Sequence, residues 1–403
     1  MPRSWRAHTR ISRLTIRCFC SFALSLSVFI LLPASGNSAA SDPLIEASRV
    51  SVIDFLLQKA ITQGLITGAV VVVGDHRGIR YEHAVGLGGF TDDAPPLTTA
   101  AVFDVASLTK VFATTPAIVK LLDEGRLSLL DPISRWFPEF AGSQITILNL
   151  LTHTSGLHDV GLNPAAPMQS AIERAAEQIG RVIPGSHFLY ADINFILLGE
   201  LVRRVSGLPL NHFAEKNFYK PLRMVSTGFL PPRSPCTIPT LGNAQIGVVQ
   251  DGNARLLGGV SGHAGLFSSV GDLARFATML LDGGQLEGVR VLSDRAVAQM
   301  TALYFFRNGR IVRGLGWDHA SPFSSPKGAI FSELSYGHTG YSGASVWIDP
   351  DADLYVLLLT TRLDYQRLHS FNQLRSDLST LAAALFGGPE SRFEREVPEN
   401  TGP

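Results

Sequence analysis

Ser107 and Lys110 stand three residues apart at the start of an apolar, periodic segment. That spacing puts a hydroxyl and an amine on one helical face, where the lysine can remove the serine proton. A serine in the first turn of a helix also has a backbone N–H without an intrahelical partner, able to bind a developing oxyanion. The tetrad is a weak signal by itself. Ser324 to Lys327 repeat it in a Pro-rich loop, and a serine at a helix start is equally an N-cap. Two further groups strengthen it. Tyr190, Ala191 and Asp192 precede an amphipathic segment, where a phenol and a carboxylate could share a cleft. His338, Thr339 and Gly340 lie on the approach to a terminal hairpin, and glycines at 337, 340 and 343 allow a ligand close to a strand backbone. Taken singly, Tyr190 reads as a half-buried core tyrosine and His338 as a satisfied strand histidine.

Other chemistries lack their spacing. Ser261 and Ser342 each miss the second glycine of a G-x-S-x-G elbow, and there is no H-E-x-x-H zinc helix or phosphate loop. Asp349, Asp351 and Asp353 imitate the start of a calcium loop, but Leu354 replaces its glycine and Thr360 its closing glutamate, which leaves a hairpin turn.

The elements that must position these residues follow from periodicity. Ile66 to Val73 reads as a buried strand, Asp75 to Gly78 as a turn and Ile79 to Val85 as a returning strand. Leu108, Val111, Phe112, Thr115, Ile118, Val119 and Leu122 recur at helical spacing, with Gly125 as the stop and a kink expected at Pro116. Residues 131–250 form a mainly helical block, clearest from Ile193 to Val205. Ser345–Ile348 and Leu354–Thr360 make a second hairpin, and 369–386 a closing helix. Strands at both ends with helices between predict an α/β (α+β) fold: one antiparallel sheet built from both termini and flanked by helices, holding an all-α region.

In order, S-x-x-K, then Y-A-D some eighty residues on, then H-T-G near the C-terminus resembles the serine β-lactamase and penicillin-binding-protein superfamily, in its class C β-lactamase-related branch. LLTHTSGL at 150–157, YADINFILLGELV at 190–202 and GHTGYSGASVWIDP at 337–350 are similar to that branch's signature blocks. DGNARLLGGVSGHAGLFSSVGDLARFA at 251–277 resembles a subgroup that includes D,D-carboxypeptidase-like proteins. The resemblance runs from about 48 to 386 and implies the β-lactamase/transpeptidase-like fold, with the active site between sheet and helical region.

It also implies roles. Ser107 would be the acylated nucleophile, Lys110 its activating partner, and Tyr190 the general base and acid. The N–H groups of Ser107 and Tyr341 would form the oxyanion hole, with His338 and Thr339 of the H-T-G triplet holding a substrate carboxylate or the reacting carbonyl. Two departures bear on this. His338 stands where many β-lactamases have lysine, so a charged contact with a carboxylate would depend on pH near the imidazole's ordinary pKa of about 6.5. Asp192 stands where asparagine is common, and its charge could pair with Lys110 and leave Tyr190 as the base. His153 and His158 read as turn-stabilising residues, while His263, in a glycine-rich loop, is a candidate substrate contact.

Composition bounds the rest. With 403 residues, 45% of them hydrophobic, the chain buries a large core. Lysine plus arginine equal aspartate plus glutamate at 34 each, which excludes a nucleic-acid binder relying on a basic surface. Arg3, Arg6, Arg10, Arg13 and Arg17 precede the apolar run 18–32, and no acid occurs before Asp42, so the body is mildly acidic. Residues 1–40 read as a secretory signal, cleaved after Gly36 or Ala40, with an uncleaved anchor as the alternative and the only membrane contact. Cys18 and Cys20 lie inside that segment, so the exported chain keeps Cys236 alone and no internal disulfide. Residues 41–386 form the hydrolase domain and 387–403 a frayed tail. The expectation is an exported serine hydrolase without metal or organic cofactor, its substrates peptidoglycan peptides ending in D-Ala-D-Ala, small esters, or β-lactams as acylating ligands. A non-catalytic peptidoglycan receptor is the alternative of another class, and a receptor has no need of Ser107, Lys110 and Tyr190 together.

Overall fold

The computed structural model describes residues 43–231, 234, 236–240, 246–306 and 311–387. The expected signal or anchor at 1–40 and the tail beyond Gly387 lie outside the described residues. The first strands are β1 (Ile66–Asp75), β2 (Gly78–Gly86), β3 (Val102–Asp104), β4 (Gly228–Phe229), β5 (Leu266–Ser269), β6 (Gln285–Leu286) and β7 (Val289–Arg290). They are followed by β8 (Tyr304–Phe306), β9 (Ile311–Arg313), β10 (Asp318–Ala320), β11 (Tyr336–Thr339), β12 (Ser345–Asp349) and β13 (Leu354–Arg362). Eight of them form one antiparallel sheet in the order β2-β1-β13-β12-β11-β10-β9-β8, and a smaller sheet runs β3-β5-β4. β1 pairs directly with β13, with Val70 opposite Leu359 and Val72 opposite Leu357. Strands from the two ends of the fold therefore pair side by side in one sheet, next to its β2 edge, as the terminal hairpins predict.

The helices are α1 (Pro43–Thr62), α2 (Thr115–Asp123), α3 (Ile147–Leu151), α4 (Pro167–Ala176), α5 (Asp192–Ser206), α6 (Leu210–Ala214), α7 (Gly252–Leu256), α8 (Val270–Leu281), α9 (Asp294–Thr301) and α10 (Leu368–Phe386). Side chains alternate along β1 and β13. Val71, Val73, Val356 and Leu358 pack against Ile53 and Leu57 of α1 and Phe371, Leu374 and Leu378 of α10. Val70, Val72, Leu357 and Leu359 face Leu273, Phe276 and Ala277 of α8 and join the core of the helical region. Both faces are covered, so these strands read as unbroken apolar runs rather than as alternation. Among the described residues no helix is long and apolar enough to cross a membrane.

Three local readings resolve in detail. The segment after Ser107 is not one α-helix: a 3-10 turn at Ala106–Leu108 passes into a π-helical turn at Lys110–Thr114 and then into α2. Pro116 sits in the first turn of α2, where its missing N–H is not needed, so the irregularity expected there is taken upstream by the π turn. The aspartates at 349–353 belong to a turn, with Asp349 accepting from the Ser332 N–H (2.7 Å) and hydroxyl (2.6 Å) and Asp353 held by His76. The second S-x-x-K spacing is also a turn, in which the Ser324 hydroxyl donates to the Ser321 carbonyl (2.7 Å) and Lys327 to the Ser332 carbonyl (3.0 Å).

Candidate active site

β3 delivers the chain to a strained corner. Ala106 has φ +48°, a left-handed conformation that costs a residue with a Cβ about 1–3 kcal/mol unless its surroundings hold it. Its N–H donates to the Asp104 carboxylate (2.9 Å), and its carbonyl accepts from the Thr109 hydroxyl (2.6 Å). The corner turns Ser107 out into a cleft of about 610 Å³ between the sheet and the helical region. Ser107, Tyr190, Asp192, His263, His338, Thr339, Gly340 and Tyr341 all line this cleft.

Lys110 lies beneath the floor and is fully buried. Its ammonium donates to the Ser107 hydroxyl (3.0 Å), to the Asp192 carboxylate (2.7 Å) and to the His263 carbonyl (3.3 Å). Burial pulls its pKa down, but the Asp192 charge, with Tyr190 adding to it, more than offsets that and holds it above the ordinary lysine value. Asp192 is lowered in turn: burial pushes it up, and Lys110 and His263 bring it down further. The pairing expected for Asp192 is therefore present, and it favours the protonated form of Lys110.

Tyr190 precedes α5, whose Ala191 N-cap has no side chain to offer the helix. Two residues of the block after α3 substitute for it. The Asp159 carboxylate accepts from the Ile193 N–H (3.0 Å), and His153 Nδ1 accepts from the Ala191 N–H (3.3 Å). His153 is itself left-handed (φ +56°) and buried, with its ring between Tyr190 (4.4 Å, stacked) and Phe195 (5.1 Å). Burial, with Arg313 and Lys110 nearby, holds it well below the ordinary imidazole pKa, so a neutral ring backs Tyr190. The turn-stabilising reading of His153 stands, and it extends to placing the phenol. His158 is exposed and apart from the cleft.

On the opposite wall, β11 carries His338 and Thr339 into a turn through Gly340 and Tyr341. A Cβ on Gly340 would lie 2.5 Å from the Val105 carbonyl oxygen, so only glycine lets this strand end reach the Ser107 corner. His338 is 5% exposed, and its Nδ1–H donates to the Thr339 carbonyl (2.8 Å). Burial, with Lys110 and Arg313 close by, pushes its pKa well below 6.5. Burial therefore disfavours the charged imidazole on which a pH-dependent contact with a carboxylate would rely. Positive charge comes instead from Arg362 and Arg375, which the sequence reading missed. Arg375 donates to the Gly340 (2.7 Å) and Ala344 (2.8 Å) carbonyls, Arg362 to the Tyr341 carbonyl (2.9 Å), and both stack on Phe371. Both line the cleft, and neither has an ion-pair partner among the described residues. Burial and the neighbouring Arg362 bring Arg375 down to about 9, which leaves it charged at neutral pH.

His263 lines the cleft, but both its nitrogens are engaged inside the protein, Nδ1 with the Ser261 hydroxyl (2.8 Å) and Nε2 with Asp251 (2.8 Å). Gly262 packs against α5 so closely that a Cβ would lie 1.9 Å from the Phe195 carbonyl oxygen, which fixes the His263 carbonyl over Lys110. This geometry makes His263 a wall residue rather than the expected substrate contact. Ligand atoms of Asp192, Asp251 and His263 lie within 4.8 Å of one another, yet they are spent on Lys110, Ser261 and each other. Arg313, 1% exposed, pairs with Asp318 (3.2 Å) in the wall beside Phe188.

Comparison with known proteins identifies the family and the fold. The Beta-lactamase family profile matches residues 53–376. A Salmonella typhimurium (strain LT2) protein named "Putative D-alanyl-D-alanine carboxypeptidase" is 29% identical over 387 residues, covering 84% of this chain and 88% of that one. Among solved structures, EstCE1, described as a hydrolase with promiscuous acyltransferase activity, superposes with a TM-score of 0.69 at 20% identity, over 84% of this chain and all of that one. A class C β-lactamase gives 0.69 at 20% identity, over 85% and 98%. These two share the fold. By the span of the family match, the chain belongs to the β-lactamase family and is a serine hydrolase.

Proposed function

We propose that the protein is an exported D,D-carboxypeptidase-like enzyme that cleaves peptidoglycan peptides ending in D-Ala-D-Ala through an acyl-enzyme on Ser107. The observation that carries the mechanism is the Lys110 ammonium donating to Ser107 Oγ while Asp192 keeps it charged. Tyr190, acting as the phenolate with its ring centroid 5.0 Å from that ammonium, takes the Ser107 proton and becomes the phenol as Ser107 Oγ adds to the substrate carbonyl. The N–H groups of Ser107 and Tyr341 stabilise the oxyanion. Tyr190 then gives the proton to the departing amine, and the acyl group remains on Ser107. Water, deprotonated by Tyr190, attacks the ester, and the proton returns to Ser107 as the acid leaves.

The substrate reading rests on the name of the Salmonella relatives and on the positive charge of Arg362 and Arg375 at the cleft, which no carboxylate among the described residues neutralises and which would draw a terminal carboxylate. A neutral ester is the second reading, favoured by the exposed Phe323, Tyr341 and Leu368 at the cleft. The test incubates the purified protein with a D-Ala-D-Ala pentapeptide, an activated ester and a penicillin. D-alanine release and a mass increment on the Ser107 peptide are expected. A label on another serine, or full turnover by Ser107→Ala, would overturn the mechanism, and ester turnover without D-alanine release would favour the second reading. Export is tested by the N-terminal sequence of the mature protein, which should begin after residue 36 or 40.

A further inference from the structure

The oxyanion hole needs two N–H groups from distant parts of the chain aimed at one point, and a single buried residue ties both parts together. Asp104 is 2% exposed. Its Oδ1 accepts from the Ala106 N–H (2.9 Å), one residue before Ser107. Its Oδ2 accepts from the Gln250 N–H (2.7 Å), one residue before the Asp251 that holds His263. Its backbone carbonyl accepts from the Ser342 hydroxyl (2.6 Å), one residue after Tyr341. Three walls of the cleft thus converge on one residue, and its carboxylate restrains the unfavourable φ of Ala106.

We propose that Asp104 is the positioning residue of the oxyanion hole: its carboxylate holds the left-handed Ala106 corner, and its carbonyl anchors the Tyr341–Ser342 turn to the same strand end. The inference rests on the Ser107 acyl-enzyme reading. Asp104 touches no reacting atom. It sets the separation and direction of the Ser107 and Tyr341 N–H groups, which matter most in the tetrahedral state, where donors must meet the oxyanion rather than the ground-state carbonyl.

An isosteric Asp104→Asn variant keeps one acceptor but turns an NH₂ toward the second N–H. It should lower kcat for an activated ester by about 10- to 100-fold, the scale of loss from ångström-level misplacement. KM should stay within about threefold, because ground-state binding is not what the clamp serves. Affinity for an arylboronic acid, which forms a tetrahedral adduct on the nucleophile, should fall in parallel with kcat. Ala106→Gly placed on Asp104→Asn should restore part of kcat, since glycine takes φ +48° without a tether. Ser342→Ala, which removes only the second tether, should give a smaller loss of the same kind, and it serves if Asp104→Asn fails to fold. A raised KM with unchanged kcat, or boronate affinity untouched in both variants, would overturn the clamp. Failure of a fluorophosphonate to label Ser107 in the wild type would instead sink the acyl-enzyme reading. A labelled wild type with unaltered variants sinks the clamp alone.

Discussion

Lys110 and Asp192, 82 residues apart in sequence, form a 2.7 Å ion pair in which the ammonium is fully buried and the carboxylate faces the cleft. The pair favours the ammonium form of Lys110, and in the proposed mechanism this leaves proton transfer to Tyr190. Asp192→Asn keeps an acceptor for Lys110 but removes the charge that raises its pKa. The alkaline limb of kcat/KM should therefore move to lower pH in the variant. An unmoved limb would show that protonated Lys110 is not required.

The same pair has a stability consequence with a definite sign. Lys110 is raised above its unfolded value of about 10.4, so the contribution is fully present below that pH and is lost only as pH rises through the folded value. Asp192→Ala leaves a buried ammonium without its counter-charge, which should cost about 3–5 kcal/mol in denaturant unfolding at pH 7. A loss below about 1 kcal/mol, the range of an exposed pair, would mean that water reaches Lys110.

Tyr190→Phe removes one hydroxyl from a ring that still stacks on His153. The melting temperature should stay close to that of the wild type while kcat falls by about 10²- to 10⁴-fold, the usual range for a general acid or base. Loss of less than tenfold, with the fold intact, would shift proton transfer away from the phenol.

His338 gives a prediction opposite to the one its residue type suggests. A neutral imidazole cannot attract a carboxylate, so KM for a peptide with a free C-terminus and KM for a matched neutral ester should run parallel from pH 6 to 8. Divergence with a midpoint near the ordinary histidine value of about 6.5 would show that His338 charges in the complex. Its lowered pKa also means that the unfolded chain binds the proton first, so His338 costs stability as pH falls below about 6.5. The stability difference between pH 7 and pH 5 should shrink in His338→Gln, read by equilibrium unfolding at both values.

Much of this site is legible in the sequence because its chemistry lies in short local spacings. Ser107 with Lys110, Tyr190 with Asp192, and the 338–341 strand end each announce themselves within four residues, and the unbroken apolar runs of β1 and β13 mark a sheet covered on both faces. The supporting residues do not. Asp104 meets Ser342 across 238 positions, and Arg375, within α10, meets Gly340 across 35, so no periodicity records either contact. His338 and His263 show a different limit. Residue type gave their chemical capacity, whereas burial and the partners of each ring nitrogen decide what remains available.

Gly340 offers the most direct test of how closely the two halves of the cleft must meet. Its Cα lies against the corner that carries Ser107, where a Cβ would sit 2.5 Å from the Val105 oxygen and 3.2 Å from Ala344 Cβ. The first contact is to backbone, which cannot rotate aside, so Gly340→Ala must move the β11 end away from Ser107 and carry the Tyr341 N–H with it. Loss of one oxyanion donor costs about 10²- to 10³-fold in kcat, and a displaced donor should approach that range. The Lys110 contacts, to Ser107, Asp192 and the His263 carbonyl, involve neither Gly340 nor Tyr341, so labelling of Ser107 by a fluorophosphonate should slow without vanishing. Gly343→Ala supplies the comparison: its Cβ would meet the Thr360 hydroxyl at 2.0 Å, and its φ of +114° is hostile to any side chain, so it should damage stability at least as much. If Gly340→Ala keeps wild-type kcat while Gly343→Ala unfolds the hairpin, the close approach of Gly340 to Val105 serves packing rather than the oxyanion hole.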